Sequence, residues 1–165
     1  MKIELRRGRI EDAPGLARVS VDSWRVAYRD LLPPAYLDRL SYADREQRWQ
    51  ERLASDEGER WVLLVDGQVA GFVSLASTGS PEIGELDGIY LHPDFFGQGL
   101  GRRLMELALE RLRQRGHREA VLWVLDGNRR AERFYEVGGW QREDLLRPHP
   151  HLGAPVRRYR RTLVE

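Results

Sequence analysis

Residues Glu85 to Leu104 read ELDGIYLHPDFFGQGLGRRL, and the fold turns on this stretch. An extended apolar run ends at Pro93, glycines follow at Gly97, Gly99 and Gly101, and a helical pattern opens at once with Leu100, Leu104, Leu107, Ala108 and Leu112. Glycines tolerate positive φ and carry no side chain, so successive backbone N–H groups can converge on one point. A helix starting behind them adds the positive end of its dipole. A strand, turn and helix of this kind suit phosphate or pyrophosphate, although three alternating glycines alone equally read as a helix start that binds nothing. The loop of an NTPase would end in Gly-Lys-Ser/Thr, whereas Gly101 is followed by Arg102 and Arg103. A dinucleotide fingerprint would be GxGxxG after a first strand, and this is GxGxG deep in the chain.

Upstream, Trp61 to Val65, Asp66-Gly67 and Gln68 to Ala76 predict a hairpin, because Asp-Gly between β-rich runs favours a type I′ turn. Ser77 to Pro81 reads as a loop and Ile83 to Leu91 as a strand antiparallel to its predecessor. Gly84 and Gly88 inside that strand are unusual, since an interior glycine marks a bulge or the close approach of another backbone or a ligand. Downstream, the helix ends at Gly116, and Glu119 to Leu125 is a short buried strand, parallel to the Glu85 strand because a helix crosses between them. Asp126-Gly127-Asn128 leads into a helix from Arg129 to Val137 that Gly138-Gly139 stops. Trp140 to Leu145 and Arg157 to Leu163 read as closing strands around a loop from Arg147 to Pro155.

Ahead of the hairpin, Ile3 to Arg7 alternates like an edge strand, and Ala13 to about Tyr28 reads as a helix burying Leu16, Val19, Val26 and Ala27. Leu31 to Pro34 stops it. A short helix over Ala35 to Leu40 follows, then one capped by Ser41, running to about Ala54 and packing Tyr42, Trp49 and Leu53. These helices would form one wall of a substrate cleft. Arg157, Arg158, Arg160 and Arg161 flank a strand tyrosine, and a solvated edge strand accounts for them better than a basic binding patch. His149 and His151 lack the acid or cysteine that would complete a zinc site, so no metal is expected.

A chain of 165 residues fits one domain that buries about two thirds of its unfolded surface. Its 27 Lys and Arg against 26 Asp and Glu give no field that would single out nucleic acid or a membrane. The absence of cysteine excludes a disulfide framework, a thiolate metal site and a cysteine nucleophile. The N-terminus has no apolar signal core and no apolar run reaches about eighteen residues, so a cytoplasmic protein is expected. Oligomeric state is not legible, a homodimer being the commonest assembly among oligomers.

This order of elements resembles the GNAT superfamily of acyl-CoA-dependent N-acyltransferases, and two separated motifs carry the resemblance. Leu91-His92-Pro93 followed by Gly97-Gln98-Gly99-Leu100-Gly101 resembles the family's pyrophosphate loop. Asn128, Ala131, Phe134-Tyr135 and Gly139-Trp140 resemble its N-x-x-A-x-x-F-Y-x-x-x-G-F segment. The resemblance covers Trp61 to Trp140 and implies an α/β (α+β) fold: one domain with a mixed, largely antiparallel sheet, splayed central strands and helices on both faces. Residues 1–60 would supply the first strand and the substrate wall, 61–140 the acetyl-CoA-binding core, and 141–165 the closing strands. One departure stands out. The family usually has Gln or Arg before the first glycine, and Phe96 occupies that place here.

Acyl transfer from a thioester to an amine needs a deprotonated amine, an oxyanion donor and a proton for the departing thiolate. The resemblance implies that Tyr135 supplies the proton and Asn128 contacts the pantetheine arm; a buried packing tyrosine and a plain helix cap are the bland readings of the two. The splay beside the Glu85 strand would admit the pantetheine, pairing with Ile89 and Leu91 as a missing strand would, and an N–H near Ile89 or Tyr90 would serve the oxyanion. Backbone amides of Gly97, Gln98, Gly99, Leu100 and Gly101, helped by Arg102, would hold the pyrophosphate. An amine keeps its proton to about pH 10, so a carboxylate or a water wired to one must take it, with Glu85 the first candidate and Asp87 the second. Strand alternation puts both on one face, where one could instead hold the substrate cation, and both also read as solvated acids. Trp24, Tyr28 and Glu85 would line the acceptor pocket, although aromatics four apart on a helix equally read as core. The expectation is an N-acetyltransferase moving acetyl from acetyl-CoA to the primary amine of a small molecule or peptide. A non-catalytic acyl-CoA-binding module of the same fold is the alternative, and an NTP-binding protein would lack both the lysine and a magnesium-binding Ser/Thr.

Overall fold

A computed structural model of the protein describes residues 1–150 and 152–164. One sheet of seven strands runs in the order β1-β2-β3-β4-β5-β7-β6. The strands are β1 (Ile3–Arg7), β2 (Glu59–Val65), β3 (Gln68–Ser77), β4 (Ile83–Leu91), β5 (Glu119–Leu125), β6 (Gln141–Pro148) and β7 (Pro155–Thr162). Only β4 and β5 pair in parallel. The helices are α1 (Ala13–Ala27), α2 (Pro34–Asp38), α3 (Tyr42–Ala54), α4 (Leu100–Gln114) and α5 (Arg129–Val137).

Local chemistry accounts for the joints. Asp66 at φ 49° and Gly67 at φ 82° give the two left-handed residues that a type I′ hairpin between β2 and β3 requires. The Ser41 hydroxyl accepts the N–H of Asp44 and caps α3. Both faces of the sheet are covered. Leu63, Val73 and Leu86 pack on Leu104, Ala108 and Leu112 of α4, while Val62, Leu64 and Phe72 pack on Leu16 and Val19 of α1 and Trp49 of α3.

Several expectations need correction. Val26, 44% exposed, and Ala27 leave the core because the last turn of α1 overhangs a cleft rather than the sheet. Tyr42 is likewise exposed and bonds the Asp22 carboxylate instead of packing. The closing strands extend to Pro148 and from Pro155, so the connection between them is shorter than Arg147 to Pro155. Nor is β7 an edge: it lies between β5 and β6. Arg157, Arg158 and Arg160 are neutralised there by Asp126, Glu143 and Glu119, Arg161 donates to the Gly138 carbonyl instead, and the intervening Tyr159 is fully buried. Gly84 is small for packing, since a Cβ would come within 2.5 Å of the His117 ring and 2.6 Å of Leu112.

Two irregularities make the site. β4 and β5 pair only at Ile83↔Glu119, Gly84↔Ala120 and Glu85↔Val121, and no pairing continues beyond. In the β3–β4 ladder Ser74 faces Gly88 but Leu75 faces Leu86, so Asp87 is an extra, bulged residue. Simple alternation would place residues 85, 87, 89 and 91 on one face. The bulge instead leaves Glu85 and Asp87 with Gly88 and Tyr90 on the α1–α3 side and turns Ile89 and Leu91 toward α4.

Candidate active site

One cleft, of about 560 Å³, runs from the splay to the start of α4. Gly97 (φ 80°) and Gly99 (φ 76°) are left-handed, and Gly99 is the N-cap of α4. Gly101 is not left-handed, and a Cβ there would meet the Phe134 ring at an ordinary 3.6 Å. The first amide to bond back is that of Arg103, to Gly99 O at 3.3 Å, so the N–H groups of Leu100, Gly101 and Arg102 lack an intrahelical acceptor. Those donors and the helix dipole form an anion seat. Gln98 is exposed and does not line the cleft. Arg102 reaches only the rim, with its side chain 84% exposed and bonded to Glu106 at 3.2 Å. The guanidinium of Arg130, from α5, stacks 3.8 Å over the Phe96 ring beside the glycines, bringing a cation to where the expected polar side chain is missing. His92 ties the turn to α1: it is buried, its Nε2 donates to Asp22 at 2.7 Å, and its Nδ1 accepts the Asp94 N–H at 3.1 Å.

Along β4, His92 N–H donates to Ala70 O at 2.7 Å and Tyr90 sits opposite Phe72. Donors alternate along an antiparallel strand, so the Tyr90 N–H also turns to β3 while those of Ile89 and Leu91 face the splay. Ile89, not Tyr90, therefore offers a backbone donor there, and the Leu91 carbonyl already accepts from the Ser23 hydroxyl at 3.1 Å. Asn128 both lines the cleft and caps α5, accepting the Ala131 N–H at 3.4 Å. Tyr135 lines it as well, with its ring 6.0 Å from Tyr159 and 6.3 Å from Trp140, and burial pushes its hydroxyl well above the usual tyrosine range. A glycine-rich anion seat continuous with an unpaired strand edge fits a ligand made of a pyrophosphate and an extended amide arm.

A second cleft, of about 430 Å³, opens on the α1–α3 side. Trp24 and Tyr28 line it, as do Glu85 and Asp87. The Tyr28 and Tyr90 hydroxyls share a hydrogen bond of 2.6 Å, and burial raises both above the ordinary range. Glu85 is raised by its burial and then by the charge of Asp87, against the opposing pull of Arg147. Glu85 forms no hydrogen bond or ion pair among the described residues, whereas Asp87 meets Arg52 at 3.4 Å. Tyr28, Asp87, Gly88, Tyr90 and Trp123 line both clefts, so the two meet at the splay.

Comparison with known proteins decides the family. Residues 22–139 match the model of the acetyltransferase (GNAT) family. The chain belongs to the GNAT acetyltransferase family. Over 92% of this chain and 95% of its own length, the uncharacterized N-acetyltransferase YuaI of Bacillus subtilis is 32% identical. A spermidine N(1)-acetyltransferase of Thermoplasma acidophilum is 27% identical over 87% of this chain and 91% of its own. The fold is also that of the PaiA N-acetyltransferase from Thermoplasma acidophilum, solved with coenzyme A, at a TM-score of 0.80 and 21% identity over 98% and 99% of the two chains.

Within this GNAT fold, the loop and α5 segments meet on one cleft, Glu85 lines the other, and Asp87 lies where the two join. No helix among the described residues is long and apolar enough to cross a membrane, and no group of three His, Cys, Asp or Glu among them could hold a metal. His149 lines the second cleft, and His151 lies outside the described residues. Sequence reasoning missed Trp123, Arg130 and the arginines of α3. The last had a signal: Arg45, Arg48, Trp49 and Arg52 fall at i, i+3, i+4 and i+7, one stripe of a helix.

Proposed function

We propose that the protein transfers an acetyl group from acetyl-CoA to a primary amine by direct attack within a ternary complex. The observation that carries this reading is the meeting of two clefts at the β4–β5 splay, one with an anion seat and free strand edge, the other with an unpaired carboxylate. In the donor cleft, the amides from Gly97 to Arg102 with Arg130 hold the pyrophosphate, and Ile89 and Leu91 pair with the pantetheine amides. The bound thioester supplies the acyl group. The Ile89 N–H stabilises the negative charge that develops on the carbonyl oxygen. Buried Tyr135 stays protonated throughout the neutral range, as a donor to the departing sulfur must. Glu85 takes the ammonium proton, directly or through a water, and Asp87, held by Arg52, orients the amine. The spermidine named for the Thermoplasma relative is one candidate acceptor, to be weighed against the charge of the second cleft.

Thiol release over an amine panel tests this. Because Glu85 is raised, activity climbs with pH through a value above the ordinary glutamate range, and Glu85→Gln removes that limb. Tyr135→Phe lowers kcat by about 10²-fold or more with acetyl-CoA binding retained. A Glu85→Gln profile that matches wild type eliminates Glu85 as the base. Acetyl-CoA binding without thiol release on any amine makes the chain an acyl-CoA-binding module instead.

A further inference from the structure

The acceptor cleft carries more positive charge than its reaction needs. Arg45, Arg48 and Arg52 of α3 and Arg147 of β6 line it, against two carboxylates, Glu85 and Asp87. Arg52 is spent on Asp87, at 3.4 Å, and on the Ser74 hydroxyl, at 2.9 Å. Arg45, Arg48 and Arg147 form no ion pair and no side-chain hydrogen bond among the described residues.

These guanidiniums are also positioned. Arg45 lies 4.7 Å over the Trp24 ring and Arg147 lies 3.8 Å over Trp123, on the walls that flank the splay. Stacking fixes the plane of a guanidinium and leaves its N–H fork for a carboxylate or phosphate, which it can bind in a bidentate manner. Arg45 is half-buried, and its pKa is lowered by that burial and then by Arg48, with Arg52 adding to the effect. Like charges gathered around a partly desolvated arginine are what a cleft shows when its counter-ion arrives with the ligand. An acceptor that brings only ammonium groups would have to enter against this charge.

We propose that the acceptor is a small amine that also carries an acidic group, carboxylate or phosphate, held by Arg45 and Arg48 with Arg147 opposite while the amine points to Glu85 and Asp87. This rests on the acetyltransferase reading above and deepens it. A cleft of about 430 Å³ suits a small molecule rather than a folded partner.

The test compares matched acceptors by thiol release with acetyl-CoA: amino acids against their decarboxylated amines, glucosamine 6-phosphate against glucosamine, and spermidine as the wholly cationic case. The expected result is at least a tenfold higher kcat/KM for the acidic member of a pair, the carboxylate and phosphate arms telling which acid is meant. Arg45→Ala/Arg48→Ala loses that preference at least tenfold, with the KM for acetyl-CoA unchanged. Arg48→Glu, at an exposed position, repeats the comparison where loss of the Arg45 packing unsettles α3. Equal or better turnover of spermidine and the neutral amines overturns the inference while leaving the acetyltransferase reading standing. Acetyl-CoA binding with no turnover of any acceptor overturns that reading, and the inference with it.

Discussion

Glu59 offers the sharpest test of how α4, which carries the anion seat, is fixed to the sheet. At the first residue of β2 this carboxylate is 3% exposed and accepts from Arg111 at 2.5 Å, Trp61 at 2.6 Å and Arg115 at 3.0 Å, with Arg7 at 3.9 Å. Burial alone would raise its pKa; the hydrogen bonds from Arg111, Trp61 and Arg115 outweigh it and hold the group at about 2, against 4.5. At 1.36 kcal/mol per unit, the gap corresponds to about 3 kcal/mol. The arginines are partly solvated, with side chains from 27% to 58% exposed, so screening brings the expected figure to about 2 kcal/mol. The group is depressed, so its contribution is full above the unfolded value and is lost as pH falls through the folded one. Glu59→Gln should therefore lower the unfolding free energy by about 2 kcal/mol at pH 7, or Tm by about 4–8 °C for a chain of this size. Urea and thermal unfolding at pH 7 and pH 3 read it, and the penalty should shrink by roughly half at pH 3. An equal penalty at both pH values would refute the electrostatic account and leave only lost packing.

Arg130→Ala should raise the KM for acetyl-CoA by roughly tenfold, the worth of one charge-assisted hydrogen bond, without changing Tm, because the side chain is exposed over Phe96; an unchanged KM would return the phosphate contacts to the backbone alone. Gly84→Ala should cost about 1–3 kcal/mol by overpacking Leu112 and His117 while leaving kcat/KM intact, so a defect in acetyl-CoA use at unchanged stability would restore Gly84 to the ligand site. In hydrogen exchange of the free protein, the Ile89 and Leu91 amides should exchange well ahead of Tyr90 and become protected with acetyl-CoA, and equal protection of all three without ligand would contradict the open edge.

The elements were legible because each announces itself locally. The limits of β4, β5 and α5 follow from glycines, an Asn cap and apolar runs that do not depend on the rest of the chain. What was not legible depends on partners distant in sequence. Four arginines around Tyr159 read as an edge strand because nothing local says that β7 inserts between β5 and β6, where Glu119, Asp126 and Glu143 await three of them. Val26 continues an apolar helical stripe, and only the absence of sheet beneath it leaves it exposed. The bulge at Asp87 follows from pairing with Ser74 and Leu75, and a one-residue slip reverses which side chains meet the acceptor. The stripe of arginines on α3 was visible, but its meaning required knowing that Trp24 and Trp123 face the same opening.

An interior gap in a sheet carries a cost, since strand amides away from their partners must find others. Here three features make the gap tolerable. The β4–β5 ladder is anchored at one end by three residue pairs, so the strands diverge from a fixed hinge. On the α1 side, the Tyr28 and Tyr90 hydroxyls share a hydrogen bond and their rings, with Trp24, fill the floor. On the other side the freed amides of Ile89 and Leu91 face an open cleft rather than a packed core. The same parting puts the anion seat of α4 just beyond the end of β4, at the carboxyl ends of the parallel pair β4 and β5, which is where open sheets collect their ligands. The bulge adds the last element. By pairing Asp87 with Arg52 and leaving Glu85 alone in a half-buried wall, it gives two neighbouring carboxylates of one strand different environments, one in an ion pair and one raised by burial, which is the division of labour that a binding acid and a base require.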